Sequence, residues 1–493
     1  MTGLPTAEYR ENFEVNQIKD QDLTPVTRKS RISEAKRSFL LRKNSSIKTI
    51  FNLANTMVGS SIVVFPNLFQ ESGIITALII LFIIGGISCK TCLLEISHFK
   101  MTELDFADTI LRILGRKWFF FYNFVSILLL FVSGIIYFLL IAKMGFSFLI
   151  FIFQETDVTY SPQNHKDFTM FSYQYFGLIA ISFSFILFCL KDLKFILKLG
   201  QYGILSIMIF SLYVIVKGFI NISSETFKAS DISLISPDFA TICGVLASAF
   251  FLHNLLIPII KNNREEKNNR RDIILGYILG GSFYAIIGIF GAISITGLPK
   301  QKDSQTVLDY YGSNIYSAII EILLFLQLSS VLPVLWYVCR SQFFNIMFKT
   351  EKVPRKWFFF VNAIFSIVCL GIQIENVDPS LVISLNGAIC CYFLIYTIPI
   401  AMHLKCLYGY EKKCEDSINN NEDLMSGNQL DQEESEYIEN YDPKKIEWEK
   451  GCVDDHVEMK KKTGKFMRFM IYGIVSILGI AFAVLKIVNL LGG

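Results

Sequence analysis

Between Phe51 and Phe69 the chain reads FNLANTMVGSSIVVFPNLF, an apolar stretch interrupted by small and polar side chains. Asn52, Asn55, Thr56, Gly59 and Ser60 fall at i, i+3, i+4, i+7 and i+8, one face of a helix. Ser61 adjoins them, and Pro66 follows seven residues past the glycine. Such residues bind rather than cleave. A helix broken at Gly59 would turn unpaired N–H groups and the positive end of a half-helix toward an anion. The half that ends there would offer bare carbonyls to an ammonium group or a cation. A free α-amino acid carries both charges close together, so the stretch suits a zwitterion better than a sugar. Close packing of two membrane helices is the competing use of the same small residues.

A second stretch repeats the pattern. From Ala240 it reads ATICGVLASAFFLHNLLIPII, with Ala247, Ser248 and Ala249 midway, then Phe250, His253 and Asn254, then Pro258. Ser248, Phe250 and His253 join the expected substrate site. Phe250 could cover a substrate or simply pack, and His253 is either a group titrating near neutral pH or a hydrogen-bonded packing residue. Lys143 and Glu321 are charges inside apolar spans, which marks them as functional candidates unless they reach the interface. Glu95 reads as structural.

These residues need a membrane around them. The 493 residues are 52% hydrophobic and 18% charged, with a mean hydropathy of +0.45; a water-soluble chain carries about 25% charge. The fold class is an all-α polytopic membrane protein. Eleven apolar stretches, near 47–69, 73–97, 118–150, 172–190, 199–220, 237–260, 272–297, 314–346, 357–373, 379–405 and 465–490, each approach the ~20 residues a spanning helix needs. The expected organisation is a disordered cytosolic tail over 1–46, a ten-helix core over 47–406, an acidic disordered cytosolic loop over 407–463, and an eleventh helix with a short outer tail over 464–493. Tail and loop could receive cytosolic regulators. The net charge of +3 gives no reason to expect nucleic acid. The eleven cysteines show no paired zinc spacing, and no cofactor, metal or catalytic residue is expected.

Lysine and arginine distribution sets the orientation. With the N-terminus inside, the inner loops, the even-numbered ones up to the eighth loop, carry sixteen such residues and the outer ones five. That places the C-terminus on the outer or lumenal side, and the sequon Asn221-Ile-Ser223 with it. The first and sixth spans each open a unit of five. Interrupted spans at matching positions of two halves point to a transporter built from inverted repeats.

Phe51-Asn-Leu-Ala-Asn-Thr-Met-Val-Gly-Ser-Ser resembles the first-helix signature of the amino acid/auxin permease family, nearest its sodium-coupled neutral amino acid transporters and vacuolar relatives. Phe250-Phe-Leu-His253 with Pro258, and Pro333 with Arg340, resemble the same family. The resemblance covers about 47 to 490. It implies a LeuT-type fold of 5+5 inverted repeats plus one extra helix, and alternating access. It also implies amino acid symport across the plasma membrane or a vacuolar or lysosomal membrane, with Asn55 at the ion site. The chain departs from the family at Ser61, where a second glycine is usual, at Asn254, where proline is usual, and at Lys261 to Asn263, where an acidic pair is usual. The sodium-coupled relatives add a threonine where this chain has Val331. Ser329 and Ser330 are the nearby hydroxyls, about 100° apart around the helix. The expected coupling ion is therefore a proton, or sodium held weakly. An enzyme is disfavoured because the loops hold no catalytic grouping. An amino-acid-sensing receptor on a transporter fold, without significant flux, is the alternative.

Overall fold

The computed structural model describes residues 44–99, 105–156, 172–189, 203–224, 227–298, 306–312, 314–348 and 354–407. The acidic loop beyond its first residue, the eleventh helix and nearly all of the N-terminal tail lie outside the described residues.

The first span is two pieces, α1 (Ser46–Met57) and α2 (Phe65–Ser72), joined by a single 3₁₀ turn at Ser60–Val63. There follow α3 (Ile74–His98), a short α4 (Phe106–Ile113), α5 (Arg116–Thr156), α6 (Tyr173–Cys189) and α7 (Gly203–Ile222). The sixth span is again two pieces, α8 (Ala240–Ala249) and α9 (His253–Lys261). Then come α10 (Asn269–Ile295), α11 (Ile315–Phe348), α12 (Arg355–Ile374) and α13 (Pro379–Leu407), the last π-helical over Gly387–Thr397. Each of the first ten expected spans thus has its counterpart. Both long ones are single helices; Pro333 lies inside α11 without ending it. The α4 helix was not expected. Asp105 caps it by accepting from the Asp108 amide at 3.2 Å, and Phe106 and Ile110 are buried under it.

Ile79 and Phe82 on α3, and Leu212 and Phe219 on α7, are among many large apolar side chains left more than half exposed. Water would not tolerate so continuous an apolar surface; lipid does. The protein is an integral membrane protein.

Packing partners repeat with a period of five spans. α5 lies along α11, and α6 along α12. α5 also touches α12 and α13, while its counterpart α11 touches α6 and α7. α1 touches α7 and α10; its counterpart α8 touches α13 and α3. Five is odd, so the second unit starts from the side where the first ended. This is the 5+5 inverted arrangement of the LeuT type.

The close contact of α1 and α2 with α10 has a simple sequence cause. Gly276, Gly280 and Gly288 recur every four residues on one face of α10, followed by Gly291. A Cβ at these positions would meet Leu53, Met57, Phe69 and Pro66 respectively. Small residues at this spacing let membrane helices approach backbone to side chain. The member of the row that is not glycine is Tyr284.

Candidate functional site

In α1 the last regular bond runs from the Val58 amide to Ala54 O at 2.8 Å, and the backbone leaves the helix at Gly59. Thr56 Oγ1 donates back to Asn52 O at 2.7 Å, a side-chain bond of the kind that bends helices. α2 resumes at Phe65 with Pro66 in its first turn, where a missing N–H removes no helical bond. In the sixth span Phe250 N still reaches Leu246 O at 2.9 Å, and Phe251 N reaches Ser248 O at 3.3 Å. Regular structure then stops until His253.

Tyr284 joins the two breaks. Its hydroxyl lies 2.6 Å from Met57 O, at the end of α1, and 3.0 Å from Ala249 O, at the end of α8. Its side chain is fully buried, with the ring against Phe65 (4.8 Å between centroids) and Phe250 (5.3 Å). Tyr137 of α5 also faces the first break. Its hydroxyl interacts with Ser60, and a Cβ at Gly59 would run into it. Gly59, at φ −116°, is required by this close approach and not by a left-handed backbone. The second break is backed by α13, where Gly244 and Gly387 bring the two backbones into contact and Cys391 approaches Ser248. The π-helical stretch begins at Gly387, and such stretches concentrate at functional sites.

The arrangement is a pair of half-helix ends set side by side, bridged at their terminal carbonyls by the Tyr284 hydroxyl and bordered at Gly59 by the Tyr137 hydroxyl. Residues 42–420 match the family described as transmembrane amino acid transporter protein. The chain belongs to that family. It is 25% identical over 418 residues to neutral amino acid transporter 9 of Xenopus tropicalis, covering 74% of this chain and 75% of that protein. It is 25% identical over 425 residues to the protein of the same name from Rattus norvegicus, covering 75% of each. The Caenorhabditis elegans sodium-coupled neutral amino acid transporter 9 homolog is 23% identical over 424 residues, 74% of this chain and 68% of that one. Among solved structures, MhsT in complex with L-phenylalanine aligns with a TM-score of 0.45 at 13% identity, over 73% of this chain and 98% of that one. The family is one of transporters, not enzymes.

For this family member the expected ion residues sit as follows. Asn55 Oδ1 is buried without a partner, against Gly203 of α7 and beside Gln327 of α11, whose Oε1 also lacks one. Ser329 Oγ is buried and unpartnered, while Ser330 Oγ donates to Gln327 O at 2.7 Å. Val331 packs against the core. Gln327 was not anticipated.

Of the remaining expected site residues, Ser61 is buried beside Tyr284 and Asn52 is half-buried on α1. The Phe250 ring stacks on Tyr277 (5.8 Å, 16°) and lies over Gly85 and Gly281, so it is packed between α3 and α10. His253 faces the same side, with Nε2 3.0 Å from Thr91 Oγ1. Lys143 pairs with Asp309 at 2.9 Å, and with Glu321 they line a cleft of about 340 Å³ that also includes Tyr173 and Ser317.

The departures from the family pattern acquire reasons. Asn254, where proline is usual, accepts from the Tyr122 hydroxyl and donates to Ser126 Oγ, both at 2.7 Å, tying α9 to α5. Asn263 donates to Asp272 at 2.9 Å, and the backbone around it pairs with Asn44 (Asn44 N to Asn262 O, 2.7 Å). Arg340 donates to Phe188 O and Asn362 Oδ1 and lies 4.1 Å from the Phe358 ring centroid, so it holds α11 to α6 and α12. The sequon residue Asn221 is engaged within the fold. Its side chain is 8% exposed and its Nδ2 donates to Ile293 O and Thr296 O at 2.8 and 2.9 Å, capping the end of α10.

Proposed function

We propose that the protein is a secondary active transporter of neutral amino acids that works by alternating access. The observation that carries this is Tyr284 between the two broken spans, because it sets both half-helix ends around one locus. The amides of Gly59 to Ser61 suit the substrate carboxylate, and the carbonyls ending α1 and α8 suit its ammonium group. Neutral substrates fit because the locus described above holds hydroxyls and backbone groups and no side-chain charge to pair with a charged side chain. The names of the relatives agree with neutral amino acids. The bias in basic residues supports a cytosolic N-terminus and an outer or lumenal C-terminus, in the plasma membrane or a vacuolar or lysosomal membrane.

The coupling ion we assign is a proton, with sodium contributing weakly. Sodium needs several oxygen ligands, and the apolar Val331 removes one at the place where sodium-coupled relatives supply a hydroxyl. Asn55, Gln327 and Ser329 retain bare oxygens, enough for weak retention. The test is uptake of radiolabelled neutral amino acids into proteoliposomes with pH and sodium gradients imposed separately. An inward proton gradient should accelerate uptake in the absence of sodium. A steep, saturable sodium requirement with no response to pH would overturn the assignment and place sodium on Asn55, Ser329 and Ser330.

A further inference from the structure

Beside the second break lies a polar cluster of which only His253 was expected at the substrate site. One polar atom each of Cys92 and Glu95 on α3 and His253 on α9 lies within 4.8 Å of the others, and all three residues are buried. Its hydrogen bonds can be followed donor by donor. The Tyr277 hydroxyl donates to Phe250 O at 3.1 Å, inside the break, so its oxygen accepts from the Cys92 thiol, also at 3.1 Å. The Thr91 hydroxyl donates to Ser88 O at 2.9 Å, so it must accept from His253 Nε2–H at 3.0 Å. This chain assigns the His253 tautomer and leaves Nδ1 as a bare acceptor. Nδ1 has no partner, and neither oxygen of Glu95 has one. The cluster therefore holds three acceptor atoms and no donor for any of them.

One added proton removes most of this imbalance, turning one carboxylate oxygen into a donor for Nδ1 and leaving a neutral carbonyl oxygen. We propose that Glu95 is the proton-binding group of the transport cycle, with His253 Nδ1 accepting the hydrogen bond of the protonated carboxyl. This rests on the proton-coupled reading above and deepens it. In the closed arrangement an ionised Glu95 would be a buried, unpaired charge, which is costly. The carboxyl holds its proton there. The gap to His253 is one that a water or a rotation of the carboxyl closes. His253 stays neutral, because an imidazolium at the first residue of α9 would oppose the half-helix dipole. When α9 swings about the break at Phe250 to Leu252 and water enters, Glu95 ionises and the proton leaves to bulk water. Glu95 lies near the end of α3 that the charge bias puts on the cytosolic side, so release is inward.

Among the described residues the charges packed around the cluster are engaged elsewhere: on α4, Asp105 caps its own helix by accepting from the Asp108 amide. On α9, Lys261 lies over the Phe99 ring at 5.1 Å. On α10, Asp272 is engaged by Asn263 and Arg271. On α13, His403 is bonded to His98 at 2.9 Å, and Tyr396 meets Ser88. On α5, Tyr122 donates to Asn254. The α2 segment carries Glu71, which is exposed.

Infrared difference spectroscopy of the purified full-length protein, titrated between about pH 5 and pH 9, reads the group directly. The wild type should show the carbonyl stretch of a protonated carboxylic acid that disappears with rising pH. Glu95→Gln should remove one carboxyl's share of this band, and His253→Gln should keep that share at a shifted frequency because its acceptor has changed. Absence of any titrating band in the wild type overturns the proposal whether or not the variants fold. So does a titrating band whose intensity Glu95→Gln leaves unchanged, or a stoichiometric metal ion retained at the cluster. In proteoliposomes with a radiolabelled mixture of alanine, serine, leucine and glutamine, wild-type apparent affinity should change about tenfold per pH unit. Glu95→Gln should be flat within about twofold while still exchanging substrate. A flat wild type would refute proton coupling itself; a slope retained in Glu95→Gln would refute only the choice of Glu95.

Discussion

Tyr284→Phe isolates the contact that sets the two breaks side by side. The substitution keeps the ring, and with it the packing on Phe65 and Phe250, and deletes only the hydroxyl. Met57 O and Ala249 O then lose the donor they share. A hydroxyl has one hydrogen, so at any moment one bond is made in full and the other is weak. Leaving one buried carbonyl without a donor costs about 1–3 kcal/mol. If that cost falls on the arrangement that binds substrate, apparent affinity should drop by about five- to 150-fold, since about 1.4 kcal/mol is a factor of ten. Saturation of initial uptake in proteoliposomes measures the affinity, and thermal unfolding in detergent measures the stability. An affinity within about twofold of wild type together with unchanged unfolding would refute the role given to this hydroxyl, because it lies inside the range where the bond contributes nothing.

Other expectations follow from the same geometry. Gly59→Val should abolish uptake in a protein that still inserts, since its Cβ is aimed at the Tyr137 hydroxyl and overpacking there costs about 1–3 kcal/mol. Tyr137→Phe in the same chain should recover part of the stability but not the uptake, and strict additivity of the two changes would contradict the contact. Asn221 should remain unglycosylated, so endoglycosidase treatment should leave gel mobility unchanged; a shift lost in Asn221→Gln would mean that the cap on α10 does not persist in the mature protein. A tag after Gly493 should be reachable from the outer or lumenal side, and one near Ser426 only from the cytosol. Both on one side would remove the eleven-span arrangement.

The breaks were legible in the sequence because a bilayer makes irregular backbone expensive. Glycine, serines and proline in the first span, and Ala247 to Ala249 with Pro258 in the sixth, therefore stand out against apolar surroundings. The partners of the breaks were not legible in the same way. Tyr137 and Tyr284 lie within long apolar helices, and in a chain with 21 tyrosines and 45 phenylalanines neither attracts notice alone. A signal for Tyr284 did exist. Gly276, Gly280 and Gly288 keep a four-residue period that a tyrosine interrupts at the height of the break, where the gap between helices opens enough to admit a ring. Nothing comparable pointed to Gln327, whose importance depends on facing Asn55 across Gly203. The Cys92–Glu95–His253 cluster combines residues from two spans about 160 positions apart, and only the packing of α3 on α9 brings them together. Glu95 looked structural from its place at the cytosolic end of the second span; in the fold it is wholly enclosed.

The measurement that bears most directly on the central claim is concentrative uptake by the purified protein alone. Proteoliposomes holding the full chain, given a proton gradient and a radiolabelled mixture of neutral amino acids, should accumulate label above the external concentration and release it when the gradient is collapsed. Gly59→Val vesicles should match empty liposomes. Saturable binding of the same amino acids with no accumulation under proton or sodium gradients would contradict transport and leave the amino-acid-sensing receptor as the reading.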